Sequence, residues 1–291
     1  MDLTSSPQPG YRYRFEAHEI DAIAECNAAH GFAIAIGVIE RDLVDEMSAD
    51  VRRVIDPDGG LGPAGSRYSM DVVEHAPSTW KLLEHEPFMR LQRRLTGSDD
   101  LVLHRTAAII RNPGSPGMGW HTDMPLASHP PRTANEVLNR GEWGNSLWHY
   151  LTGSHPDRGG LAVIADSHRA DWPGPQGFEF TPDRQTFHRI GATGWHLEMD
   201  VPGMVPLHTE PGDLAIFAAR TYHAAFPHRG DRPRLSLGIG LRPRSERFDI
   251  PWPLPESSRR FIAALPERLQ RFADGYPGIV PDWKLETAEA R

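Results

Sequence analysis

Cysteine is nearly missing from this 291-residue chain: Cys26 stands alone, so no intrachain disulfide framework holds the fold. In its helical context Cys26 reads as a small buried apolar side chain. No apolar run approaches the ~18–20 residues that span a bilayer. The opening stretch, Met1 to Gly10, is polar and proline-bearing, without the basic start and apolar run of a signal peptide. A soluble, cytoplasmic protein without a membrane partner is expected. Basic clusters are missing as well, because the arginines are scattered among acids and the net charge is −8. That balance argues against a nucleic-acid partner. Neither an internal repeat nor a low-complexity tract is present, and nothing in the sequence sets an oligomeric state.

What is plentiful is punctuation. The 27 glycines and 27 prolines point to many turns, as an all-β scaffold with long loops requires. Residues 1–14 read as a flexible tail, and 15–291 as one domain. Its first part, 15–98, is helical. Glu16 to His30 has helical spacing with Gly31 at the place of a C-terminal cap, and Asp42 to Val54 sets Leu43, Val44, Met47 and Val51 on one face. Ser78 to Leu95 reads as a further helix, and Phe32 to Ile39 as a short buried strand.

From Leu101 the texture changes. Leu101 to Arg111 reads as a strand closed by the Asn112-Pro113-Gly114 turn, and shorter strands are expected at Ser146–Leu151, Gly160–Ala165, Gly203–Leu207, Asp213–Phe217 and Arg234–Leu241. This rhythm suggests a sandwich or barrel over 101–245. Two long stretches, 124–145 and 172–201, interrupt it and read as lids or binding loops. A C-terminal helical segment over 255–275, broken at Pro266, closes the chain.

The sharpest local feature is Trp120-His121-Thr122-Asp123. Residues i and i+2 of a strand share a face, so His121 and Asp123 can aim at one point. Alone, the tripeptide reads as a strand end with a local His–Asp hydrogen bond sooner than as a metal site. Downstream, Glu210-Pro211-Gly212-Asp213 turns into an apolar strand that leads to Thr221-Tyr222-His223. Eleven residues later comes Arg234, with Ser236 on the same face of a strand. Two histidines and one carboxylate on one face of an octahedron leave three positions for a bidentate oxo acid and O₂. An arginine can grip the oxo acid's far carboxylate with two parallel hydrogen bonds, and Ser236 could donate another.

In order and spacing, His121-x-Asp123, His223 and Arg234-x-Ser236 resemble the phytanoyl-CoA dioxygenase-like family of 2-oxoglutarate oxygenases. Gly159-Gly160-Leu161-Ala162-Val163-Ile164-Ala165-Asp166-Ser167-His168-Arg169 resembles that family's strand and Pro-Gly-Ser-His-Arg turn, with Ala165-Asp166 where Pro-Gly is usual. Pro211-Gly212-Asp213-Leu214 through His223 resembles its second ligand strand. Ala225 stands where a small polar residue is frequent.

The resemblance implies a mainly β fold with flanking helices around a double-stranded β-helix, a cupin-like jelly-roll. It implies Fe(II) on His121, Asp123 and His223, 2-oxoglutarate on Arg234 and Ser236, and O₂ as oxidant. It also implies hydroxylation, desaturation or cyclisation of a small molecule, with succinate and CO₂ released. Related halogenases replace the acid with a small residue, so Asp123 favours oxygenation. Trp120, Met124, Arg111 and Trp148 flank the motif strands and are candidates for substrate contact. His104, His149, His155, His168, His208 and His228 are rival ligands that read better as structural. Two other classes use parts of this pattern: a metal-dependent cupin hydrolase or isomerase without the oxo acid, and a non-catalytic jelly-roll binding module.

Overall fold

The computed structural model describes residues 9–124, 131–139, 144–192, 194, 196–246 and 249–284. Strands run in chain order as β1 (Arg14–Glu16), β2 (Phe32–Ile36), β3 (Ser66–Ser69), β4 (Leu101–Arg111), β5 (Met118–His121), β6 (Asn145–Tyr150) and β7 (Leu161–Ile164). They continue as β8 (Phe178–Phe180), β9 (Phe187–Arg189), β10 (Met204–Pro206), β11 (Leu214–Ala218), β12 (His223–Ala225) and β13 (Arg234–Pro243). The helices are α1 (Ile20–His30), α2 (Arg41–Ile55), α3 (Val72–His75), α4 (Glu86–Thr96), α5 (Ala134–Leu138), α6 (Glu256–Ala264) and α7 (Glu267–Gln270). Among the described residues no helix is long and apolar enough to cross a membrane.

Alternation along β13 explains the architecture. Leu235, Leu237 and Ile239 are fully or almost fully buried in the main core, together with Val44 and Met47 of α2 and Phe88 and Leu91 of α4. Arg234, Ser236, Gly238 and Gly240 therefore face the other way. The helices cover one face of a seven-stranded sheet of order β1-β2-β11-β6-β13-β4-β3, and the opposite face looks inward. A four-stranded sheet, β10-β7-β12-β5, supplies the second wall. The two sheets form the jelly-roll core without closing into a barrel.

The second sheet has its own apolar cover. Trp120, Ile164, Tyr222 and Phe226 on its outer face pack with Phe178 and Phe187 of the β8–β9 hairpin. Trp172 and Phe180 add aromatic contacts to Tyr222 at 5.2 and 5.6 Å. The stretch 172–201, expected as a lid, thus packs on the outside of the sheet. Its aromatics bury apolar surface that would otherwise face water. Of the stretch 124–145, α5 packs its Val137 and Leu138 with Trp252 and Ile279. Residues 125–130 and 140–143 of that expected lid lie outside the described residues.

Two local expectations need correction. Residues 9–14 are not a free tail: Tyr13 is buried, Tyr11 stacks on His30 at 3.5 Å, and Arg14 begins β1, which runs parallel to β2. Residues 1–8 lie outside the described residues. The helix expected over Ser78–Leu95 is two pieces, a 3₁₀ stretch at Pro77–Leu83 and then α4. Pro87 explains the break, since it lacks an N–H and its ring clashes with the carbonyl four residues back. At the turn after β7, Asp166 takes a left-handed φ of 63° where a glycine is usual, and its carboxylate sits 3.2 Å from His30 Nδ1. Aspartate is among the few side chains that tolerate this conformation. Close by, Gly31 caps α1 at φ 81°, and a Cβ there would lie 2.5 Å from His168 Nδ1.

Two outcomes follow. Phe187 is fully buried amid Trp120, Phe178 and Tyr222, so Phe187→Ala should cost roughly 3–5 kcal/mol in denaturant unfolding. A loss below about 1 kcal/mol would contradict the cover assigned to 172–201. His149, buried beside Phe88, is pushed down to about 4 by burial. The unfolded chain takes up its proton from about pH 6.5 downward, the folded chain only near 4, so stability should fall as pH drops through that window. His149→Gln should reduce the slope of unfolding free energy against pH by about one proton, ~1.4 kcal/mol per pH unit. An unchanged slope would show that His149 titrates normally.

Candidate metal centre

The centre begins with a strand register. β5 and β12 pair antiparallel with His121 directly opposite His223, so both side chains leave the same face of the sheet. Their rings lie 4.3 Å apart, and Phe217 of the facing sheet stands 4.7 Å from His223. Asp123 follows β5 by two residues, and its Oδ1 is 4.0 Å from Nε2 of each histidine. The three ligand atoms lie within 4.8 Å of one another. Donors spaced this way are spanned by two bonds of about 2.1 Å to one ion.

The histidine tautomers are set by the backbone. His121 Nδ1 lies 2.9 Å from the Gly119 carbonyl and His223 Nδ1 3.0 Å from that of Thr221. Carbonyls only accept, so each Nδ1 carries a hydrogen and each Nε2 is the ring nitrogen turned into the cluster. Burial pushes His223 down to about 4, with His121 acting in the same direction and Asp123 partly offsetting them. A neutral imidazole is the form that binds metal. Burial raises the Asp123 carboxyl, but His223, Arg105, His121 and a 3.2 Å hydrogen bond donated by Ser146 Oγ outweigh it and hold it below the usual range. The donor set of two imidazole nitrogens and one carboxylate fits a divalent transition ion.

A second feature lies on the inward face of the large sheet. Arg234 and Arg111 are register partners on β13 and β4, and both are buried. Each donates to the Gly159 carbonyl, Arg111 donates also to that of Pro116, and Arg234 lies over the Tyr150 ring at 5.2 Å. Burial, followed by the neighbouring Arg234, pushes Arg111 down to about 10. Among the described residues no carboxylate pairs with either guanidinium, while Arg234 Nε and Ser236 Oγ are buried without a hydrogen-bond partner. Buried donors with no acceptor are costly. The end of β13 is thus complementary to an anion.

The four residues read as substrate contacts separate. Met124 and Trp148 line a cavity of about 820 Å³ that opens against Asp123. Trp120, adjacent to His121 in sequence, is fully buried on the outer face and donates its indole N–H to the Glu198 carbonyl. Alternation along the strand turns it away from the cluster. Arg111 stands beside Arg234 instead of the cavity. Ser146 and Arg105 went unread, although Ser146 shares a face with Trp148 and Arg105 shares one with Arg111. Among the rival histidines, His104 bonds the Leu138 carbonyl, His168 the Ala28 carbonyl, and His155 stacks edge-on with His208. None of them joins the cluster.

Solved structures show the same fold. The 2-oxoglutarate-dependent epimerase SnoN of nogalamycin biosynthesis is 22% identical, with a TM-score of 0.57, covering 78% of this chain and 84% of its own. The carbocyclase SnoK of the same pathway is 18% identical, with a TM-score of 0.55 over 80% of this chain and 92% of its own. HygX from Streptomyces hygroscopicus, solved with nickel and 2-oxoglutarate, is 16% identical, with a TM-score of 0.58 over 79% of this chain and 88% of its own. No curated protein matches the sequence. The phytanoyl-CoA dioxygenase family model matches residues 28–236, well over half of the sequence and all of the cluster just described, and the chain belongs to that family.

Proposed function

We propose that this iron- and 2-oxoglutarate-dependent enzyme hydroxylates an unactivated C–H bond of a small organic molecule. The balance is one C–H bond, one O₂ and one 2-oxoglutarate giving one C–OH group, succinate and CO₂. The observation that carries the reading is the pairing of two sites on the inward faces of the two sheets. One is the His121–Asp123–His223 cluster, and the other is the buried Arg234 with the unpartnered Ser236 hydroxyl.

When bound, an iron ion on three protein donors supplies open positions at which the oxo acid and O₂ react. The protein's own part is positional. Arg234, steadied by the Gly159 carbonyl and the Tyr150 ring, presents its guanidinium to the far carboxylate of 2-oxoglutarate, and Ser236 donates one further hydrogen bond. Arg111 adds a second positive charge at that end. Gly119 and Thr221 fix the imidazoles, and Ser146 fixes Asp123. The apolar core behind β12 keeps bulk water from the cluster. A hydrolase or isomerase on the same metal would have no use for two buried, uncompensated arginines. SnoN and SnoK are described as an epimerase and a carbocyclase, so the fate of the activated carbon varies within this fold. Asp123 fills the ligand position that halogenation would need.

Arg234→Gln tests the reading. Removing one partner of a buried charge pair costs about 2–5 kcal/mol, so the 2-oxoglutarate concentration for half-maximal succinate formation should rise by about a hundredfold or more. Ser236→Ala should raise it by about tenfold or less. Succinate formation insensitive to Arg234→Gln would favour an oxo-acid-independent activity.

A further inference from the structure

The inward face of β4 carries a second arginine. Arg105 pairs with Gly240 and Arg111 with Arg234 in one uninterrupted register, so the two arginines share a face, six residues or about 20 Å apart. Arg105 therefore stands far along the strand from the pair assigned to 2-oxoglutarate. It lines the cavity of about 820 Å³ that opens against Asp123, with Met124, Asn139, Ser146, Trp148 and Gly238. Glycine keeps this space open, since a Cβ at Gly238 would press on the Trp148 ring at 3.2 Å.

Arg105 is held in place yet lacks a counter-ion. It donates one hydrogen bond to Asn139 Oδ1 and one of 3.2 Å to the Tyr68 hydroxyl. A guanidinium has five N–H groups, so three remain. No carboxylate among the described residues forms an ion pair with it. The charge it influences is that of Asp123, and a divalent ion on Asp123 would neutralise that carboxylate. An arginine restrained by two neutral acceptors, in a cavity beside a metal centre, is pre-organised for an oxyanion.

We propose that Arg105 anchors an anionic group of the organic substrate, a carboxylate or a phosphoryl ester. Trp148 and Met124 contact its apolar part, and its reacting carbon is turned toward the cluster. The assignment rests on the oxygenase reading above and names the substrate class for the same site. The two cationic positions then divide the work: Arg234 with Arg111 takes the co-substrate, and Arg105 takes the substrate.

The test uses Mn(II)-loaded protein with saturating 2-oxoglutarate, which fills the Arg234 end and prevents turnover. Three probes share one ring system: phenylacetate, phenyl phosphate and the neutral phenylacetamide. Paramagnetic broadening of their ring protons reports binding near the metal. At least one anion should bind about tenfold more tightly than the amide, and the tighter one identifies the carboxylate or phosphoryl source. Arg105→Gln should abolish that preference. Arg105→Lys, which keeps the charge but not the fork, should retain only part of it and serves if the glutamine variant does not fold. Binding of both anions no tighter than the amide by the wild type overturns the assignment, as does a full anion preference in either variant. 2-Oxoglutarate affinity, measured on the same samples, separates the two levels. A wild type that binds no oxo acid contradicts the oxygenase reading, whereas normal oxo-acid binding with indifferent probes contradicts the role of Arg105 alone.

Discussion

Everything in this molecule depends on the register between two very short strands. His121 and His223 face one another only because β5 and β12 pair in one particular alignment. A slip of one residue would turn either side chain to the opposite face. Strands of four and three residues have little register preference of their own. The alignment is held from behind, where Trp120, Tyr222 and Phe226 key into the aromatic cover supplied by the 172–201 stretch. That stretch thus packs directly behind two members of the candidate cluster, through the sequence neighbours of His121 and His223.

Charge organises the facing sheet in the same economical way. Three arginines project from its inward surface, and among the described residues none forms an ion pair. Arg111 and Arg234 are buried together, an arrangement that costs stability unless an anion enters. A site built this way favours an anion because its donors are already in place. Family membership makes the chain an enzyme that uses iron and 2-oxoglutarate, and the arginine pair is the part of its structure that matches the oxo acid most directly.

The candidate ligands are legible in the sequence unevenly, for physical reasons. His121 and Asp123 were legible from the two-residue period of a strand, although Asp123 lies just past the end of β5. His223 and Arg234 carry no local signal that names them, and their order along the chain, which resembles the family, identified them. Strand β4 was legible in full because it is long, whereas the break before α4 turned on Pro87. The misreadings have separate causes. Trp120 was placed at the site by adjacency, yet the alternation that joins His121 to Asp123 sends its neighbour to the other face. Arg111 and Arg105 needed the pairing of β4 with β13 to separate their roles. The 172–201 stretch read as a lid or binding loop because long irregular insertions near a site look alike in sequence whether they cover a ligand or the back of a sheet.

The most direct measurement is anaerobic titration of the protein with Fe(II), followed by 2-oxoglutarate, monitored by visible absorbance. The account requires one iron per chain and a weak metal-to-ligand charge-transfer band that appears only when both are present. It also requires that His223→Ala lose the band. A wild-type protein that binds iron without developing the band, or a His223→Ala variant that develops it undiminished, would contradict the centre described here.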